Sequence, residues 1–177
     1  MDDPDGPAIS VFGSSEQSSV EVDVIRWVHL AEFVVAQERV PGLAELSLIF
    51  VDRGAIADLN ERFLGGSGPT DVLAFPMDDD LVLGGRQPDQ GGRGPGAPTA
   101  AGEPPTLIGD VVVCPEIAAA QAAAHGAATE EEIALLVVHG VLHLLNYDHV
   151  EPEDEAAMQL RERELLASFR EQEQRAL

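Results

Sequence analysis

Residues 129–149 read TEEEIALLVVHGVLHLLNYDH, and this stretch decides the architecture because it predicts a helix that only the centre of a fold can accommodate. From Ile133 to Leu145 the run is apolar nearly all round, and a helix without a polar face has to be covered on every side. It is too short to span a bilayer, which takes about 20 residues, and two histidines interrupt it. Thr129 with Glu132 three positions later predicts a capping box at its start. Glu130 and Glu131 suit the positive end of the helix dipole, so these glutamates read as helix-starting groups ahead of catalytic ones. Asn146, with Tyr147 and Asp148, predicts the stop, since Asn is the side chain that best tolerates the left-handed conformation closing a helix.

His139 and His143 lie four apart, and residues at that spacing share a helix face with Cβ atoms about 5–6 Å apart. The turn at Asn146 can then bring His149 under the same ion. Three imidazoles leave one tetrahedral position open on zinc, the arrangement of catalytic sites, whereas structural sites close with four ligands and favour cysteine. Zinc lowers the pKa of bound water to about 7 and polarises carbonyl or phosphoryl oxygens, which points to hydrolysis. We therefore assign His139, His143 and His149 as ligands of one Zn²⁺ per chain, catalytic through the water it holds. Asp148 either orients one of these imidazoles or stabilises the turn. The competing reading is a pair of core histidines bonded to backbone. Against it, three of the five histidines fall between 139 and 149 at ligand spacing. Zinc proteases with H-E-x-x-H-x-x-G-x-x-H spacing use the Glu as general base. Here that position is Gly140, which leaves a protease-like hydrolase as the alternative without its base.

Working outward, periodicity predicts a strand at Ala8 to Phe12 and a helix from about Val20 to Glu38 on Val24, Trp27, Val28, Ala31 and Val35. Leu46 to Val51 is a second strand and Arg53 to Phe63 a short helix. Thr70 to Phe75 and Leu107 to Val113 are further strands. Pro115 opens an alanine-rich helix, and Glu151 onward forms a last helix with Met158, Leu160, Leu165, Leu166 and Phe169 as its apolar stripe. The fold class is α+β, a mixed four-stranded sheet packed against helices, with the metal site on the central buried helix and the turn after it. Residues 1–177 are read as a single domain. A flexible insertion at about 78–105 is too rich in Gly, Pro, Asp and Gln to join a core. Its Gly91, Gly92, Gly94 and Gly96 form no phosphate loop, because no Lys-Ser/Thr pair follows them. His29 has no partner at ligand spacing, and His125 before Gly126 suits a helix C-terminus.

The composition is ordinary for a soluble domain at 45% hydrophobic residues. A lone Cys114 excludes an intrachain disulfide and reads as a buried strand thiol. MDDPDG at the N-terminus is acidic where a secretory signal is basic and then apolar, so a cytoplasmic location and no membrane partner are expected. The formal charge of −22 disfavours a free-standing nucleic-acid-binding module, which normally carries a basic face. It is compatible with an enzyme whose substrate is held by another protein.

HGVLHLLNYDH closely resembles the H-G-x-L-H-L-x-G-Y-D-H signature of the YbeY family, bacterial endoribonucleases and ribosomal RNA maturation factors with one catalytic zinc on three histidines. Leu59, Asn60 and Phe63, followed by Pro69, Thr70, Asp71, Val72, Leu73, Ala74, Phe75 and Pro76, are similar to the family's L-N-x-x-[YF] and P-T-D-V-L-S-F-P elements. Gly109, Asp110 and Val111 with Cys114, Pro115 and Glu116 resemble its G-D-I strand and following helix. The resemblance runs from about Ala44 to the C-terminal helix. It implies a single-strand-specific, zinc-dependent endoribonuclease in ribosomal RNA maturation, by family likeness at the 16S 3′ end, with single-stranded RNA as substrate, a ribosomal or ribosome-associated protein as partner and no DNA. Two positions depart. Asn146 stands where the family usually has Gly, a substitution the backbone accepts. Leu64 stands where many members have an Arg suited to phosphate, and Arg62, two positions away on a helix, faces elsewhere. Asp71 and Asp110 each read either as cleft-facing or as local structural groups. Leu64 and the acidic charge also keep open a non-catalytic assembly factor with a structural zinc.

Overall fold

The computed structural model describes residues 9–77, 105–147 and 151–176. Along the chain run β1 (Ile9–Ser15), α1 (Val24–Gln37), β2 (Ala44–Phe50), α2 (Arg53–Leu64), β3 (Val72–Pro76), β4 (Thr106–Val113), α3 (Pro115–His125), α4 (Thr129–Leu144) and α5 (Pro152–Arg175). The strands form one sheet in the order β1-β2-β4-β3. β1, β2 and β4 are parallel, and β3 returns antiparallel to β4. This is the expected α+β class with a mixed four-stranded sheet. Residues 78–104, nearly all of the expected insertion, lie outside the described residues, as does Ala8 at the expected start of the first strand.

Parallel neighbours need a crossover, and α1 supplies it between β1 and β2. In β2 the side chains alternate: Ala44, Leu46, Leu48 and Phe50 are buried, while Glu45, Ser47 and Ile49 are only partly so. The buried set faces α1, through Trp27, Leu30, Ala31, Val34 and Val35, and α4. Gly140 explains how close α4 comes to the sheet. A Cβ there would sit 2.6 Å from Val111 Cγ1 and 3.3 Å from Val72 Cγ2, so the helix backbone itself lies against β3 and β4. Gly109 plays the matching part in β4. Its φ is +143°, and a side chain would run into the Phe75 carbonyl and Leu144 of α4.

Several sequence expectations shift. The first helix begins at Val24, not Val20. Gln17 binds the Val20 backbone from both sides, donating to its carbonyl at 2.9 Å and accepting from its N–H at 3.0 Å, and Asp23 takes the N-cap by accepting from Arg26 N–H at 3.1 Å. Those bonds satisfy the backbone outside the helix, so the apolar Val20 and Val22 do not extend it. The capping box at Thr129 and Glu132 is displaced by one residue. Ala128 is the N-cap, and Glu131 accepts from its N–H at 3.4 Å, but alanine offers no oxygen in return. On α5 the buried stripe is Met158, Glu162, Leu165 and Phe169. Leu160 is 52% exposed, because its position lies off that 4-3-4 spacing.

Phe169 docks α5 on α1 against Phe33, ring centroids 5.5 Å apart. Arg26 of α1 adds a forked contact to Glu173 at 2.7 and 3.0 Å and a third bond to Glu130 at 3.0 Å, joining α1, α5 and the start of α4. Among the described residues no helix is long and apolar enough to cross a membrane.

Candidate metal centre

From Ile133 to Leu145, every residue of α4 and its cap is buried except Leu135, His139 and His143, which keep partial exposure. These three stand at i, i+4 and i+8, so the helix reaches solvent along one line, and two histidines occupy it. Their Nε2 atoms face each other at 3.0 Å, with the rings edge to face and centroids 4.5 Å apart. Two nitrogens bound to one zinc at about 2.0–2.1 Å with tetrahedral angles sit about 3.3 Å apart. The pair therefore fits two ligands of one ion with a small opening of the rings.

Glu162 of α5 meets His139 on its far side, with Nδ1 at 2.7 Å from Oε1. The Glu162 side chain is 9% exposed, so this carboxylate is buried and held by an imidazole partner. With the proton on Nδ1, Nε2 carries the lone pair that a metal needs, and the carboxylate fixes both tautomer and ring orientation. Glu162 was missed in the sequence reading, which considered only Asp148 for this kind of role. The signal was its place in the α5 stripe, midway between Met158 and Leu165, where a charged side chain requires a buried partner.

The helix stops as expected. Asn146 has φ +64°. Its N–H donates to the His143 carbonyl at 3.1 Å, and Tyr147 N–H donates to the Leu142 carbonyl at 3.0 Å, a Schellman closure that turns the chain beside the histidine pair. The Tyr147 hydroxyl donates to Glu38 Oε2 at 2.8 Å. Burial first, and then Glu38, push its pKa above the ordinary phenol value, so it remains a donor. Asp148 and His149 lie outside the described residues, and among the described residues no three His, Cys, Asp or Glu side chains gather around one point.

The other candidates have structural partners. Asp71 accepts from Val72 N–H at 2.8 Å, the Thr70 hydroxyl at 3.1 Å and Gln121 at 3.0 Å, tying β3 to α3. Asp110 follows the alternation of β4 onto the face opposite Val111, away from α4. Cys114 is buried, in line with expectation. His125 sits in the last turn of α3, and His29 lines a groove between α1 and α5. Glu130 and Glu131 pair with Arg26 and Arg170 at the start of α4. Arg62 lies over the ring of Phe63 at 5.5 Å, and Leu64 at the end of α2 is 58% exposed.

Residues 13–170 match the family model described as Endoribonuclease YbeY. The chain belongs to this family. A YbeY endoribonuclease of Salinispora tropica is 47% identical over 156 residues, covering 88% of this chain and 94% of the relative. Those of Beutenbergia cavernae and Mycobacterium tuberculosis are each 46% identical, over 155 and 144 residues. A Thermotoga maritima protein solved in solution has the same fold, with a TM-score of 0.53 at 24% identity over 93% of each chain. In this YbeY family member, packing accounts for Gly140. A protease-like Glu at that position would be driven into Val111 and Val72, not toward the histidines, so the residue that excludes a base is required by packing.

Proposed function

We propose that this chain is a single-metal endoribonuclease that cuts single-stranded RNA during ribosomal RNA maturation, at the 16S 3′ end by family likeness, with zinc on His139, His143 and His149. The observation that carries the reading is the His139–His143 Nε2 pair, 3.0 Å apart on a buried helix, with Glu162 holding the opposite nitrogen of His139. Bound there, zinc supplies a strong acidifier of water and a Lewis acid for a phosphoryl oxygen. The chain's own contribution is rigidity. α4 is packed on nearly every side, Glu162 keeps the His139 lone pair outward, and the Schellman closure at Asn146 ends the helix one turn past His139 and beside His143. One domain carries all of this, with residues 78–105 as an insertion.

With a formal charge of −22 and Leu64 in place of the family's frequent Arg, the chain has little means of gathering a polyanion alone. A basic ribosomal or ribosome-associated protein presents the RNA in the cytoplasm. The same two features favour a second reading, a ribosome assembly factor in which zinc only holds the C-terminal helices together. Elemental analysis and cleavage of labelled RNA on one purified sample separate the two. The expected result is about one zinc per chain, cleavage of single-stranded but not duplex RNA, and loss of both zinc and cleavage in His143→Ala. Zinc without cleavage establishes the assembly factor, and undiminished zinc in the variant overturns the metal assignment. Casein digestion by the same sample would instead revive the protease.

A further inference from the structure

We propose that Phe63, with Arg62 beside it, is a stacking site for one unpaired base of the RNA substrate, on the face of the sheet away from the histidine pair. Both residues belong to the last turn of α2, a helix whose buried residue is Ile56. Phe63 is 61% exposed, yet its ring is held. Phe75 of β3 meets it edge to face, with centroids 5.7 Å apart and planes at 72°, and the Arg62 guanidinium lies over it at 5.5 Å. The arginine is uncommitted. Arg26, Arg53, Arg161, Arg170 and Arg175 lie 2.7–3.7 Å from a carboxylate oxygen. Arg62 makes no ion pair among the described residues, although Asp58 stands four positions before it, the favourable spacing for one. Arg26 also lies over a ring, at 4.8 Å, but that ring is the buried Trp27.

A chain with a formal charge of −22 has little electrostatic hold on RNA. Stacking is the part of single-strand binding that needs no net charge, because every base presents a π-face and an aromatic side chain accepts any of them. The arginine adds a fork of donors for the adjoining phosphate. A base inside a duplex is covered on both faces by its neighbours, so a ring such as Phe63 serves single strands. β3 connects this site to the metal centre. It is the outermost strand on its side of the sheet. Its Val72 lies against Gly140, the neighbour of His139, while its Phe75 belongs to the cluster on the other face and holds Phe63. An RNA strand passing over the rim of the sheet at β3 has a path to both.

The stacking site rests on the endoribonuclease reading, and two measurements on the full chain keep them apart. Zinc-loaded wild type, Phe63→Leu, Phe63→Trp and Arg62→Gln are compared in steady-state cleavage of a labelled single-stranded oligoribonucleotide at low and moderate salt, with melting temperatures recorded alongside. The metal-free proteins are also irradiated with the same oligonucleotide carrying 5-iodouridine, and the crosslinked peptide is identified by mass spectrometry. Phe63→Leu raises KM about 10–100-fold, the effect of losing one stacked base. It leaves kcat within about twofold, because the contact is equally strong before and during bond breaking. Phe63→Trp restores the wild-type KM, and the wild-type crosslink falls on the peptide that contains Phe63. Arg62→Gln raises KM less, and added salt diminishes its effect but not that of Phe63→Leu. Wild-type KM in Phe63→Leu, or crosslinking only elsewhere, with cleavage intact, overturns the stacking site alone and leaves this patch to a protein partner. A KM rise that tryptophan does not restore, and that follows a lowered melting temperature, marks a structural contact with Phe75 and also overturns the site. Wild type that neither cleaves nor crosslinks the oligonucleotide overturns the endoribonuclease reading and the stacking site with it.

Discussion

One face of the sheet carries α1 and α4, with α5 behind them, and its core runs continuously through Trp27, Leu48, Phe50, Val137, Leu142 and Phe169. The other carries α2, where Val51, Ile56, Leu73, Val112 and Cys114 form a smaller cluster, and Phe12, Phe63, Leu64, Met77 and Leu107 remain largely exposed nearby. The histidine pair belongs to the deep face. A metal centre needs ligands whose positions survive without the metal, and a helix packed on nearly all sides provides them. The shallow face carries the L-N-x-x-[YF] element, on a helix held by few neighbours. The histidine pair and the more loosely held segment therefore sit on opposite sides of one sheet.

The largest expected effect compares one buried side chain from each face. Leu142→Ala and Ile56→Ala each cost about 2–5 kcal/mol in urea unfolding of the metal-free protein. Leu142→Ala also weakens zinc, because its cavity opens beside His143, whereas Ile56→Ala leaves zinc affinity at the wild-type value. Equal zinc affinities in the two variants would break the contrast. A smaller effect concerns how the helices end. α2 ends at Gly65 with φ +65°, and α4 meets Asn146 at φ +64°. Asn146→Gly gives α4 the ending of α2 and keeps stability within about 1 kcal/mol of wild type. Asn146→Val costs about 1–2 kcal/mol. Matching melting curves for these two variants would show that the backbone at Asn146 is not left-handed in solution.

The smallest effect is kinetic. Cys114 belongs to the shallow cluster, and burial pushes its thiol above the usual cysteine pKa. Fewer thiolates are present at pH 8 than for a free cysteine, so alkylation is at least about tenfold slower and proceeds through opening of the structure. Ile56→Ala accelerates it more than Leu142→Ala does if the faces open separately. Equal acceleration would make them one cooperative unit.

The deep face was the legible one. The all-round apolar run at Ile133–Leu145 announced a central helix. His139 and His143 announced a shared face, and the residue at 146 announced its own conformation because few side chains other than glycine accept positive φ. What escaped depended on partners distant in sequence. Glu162 lies in an R-E-R-E run that reads as a solvated helix surface, and only docking of α5 against α4 makes it the partner of His139. Leu160 is expected in the apolar stripe of α5, but its angular position faces solvent. The start of α1 turned on Gln17 and Asp23, whose local bonds override the apolar Val20 and Val22. The tie between Glu38 and Tyr147 spans 109 positions and leaves no local signature.

Glu162 also imposes an order on synthesis. Both α4 histidines are synthesised before Glu162, whose carboxylate holds His139, by 19 residues from His143 to Glu162, which takes about 1 to 4 s at ordinary translation rates. During that interval the nascent chain holds the histidine pair without the partner that fixes its tautomer. The His139 ring takes its oriented form only once α5 has been made and docked on α4.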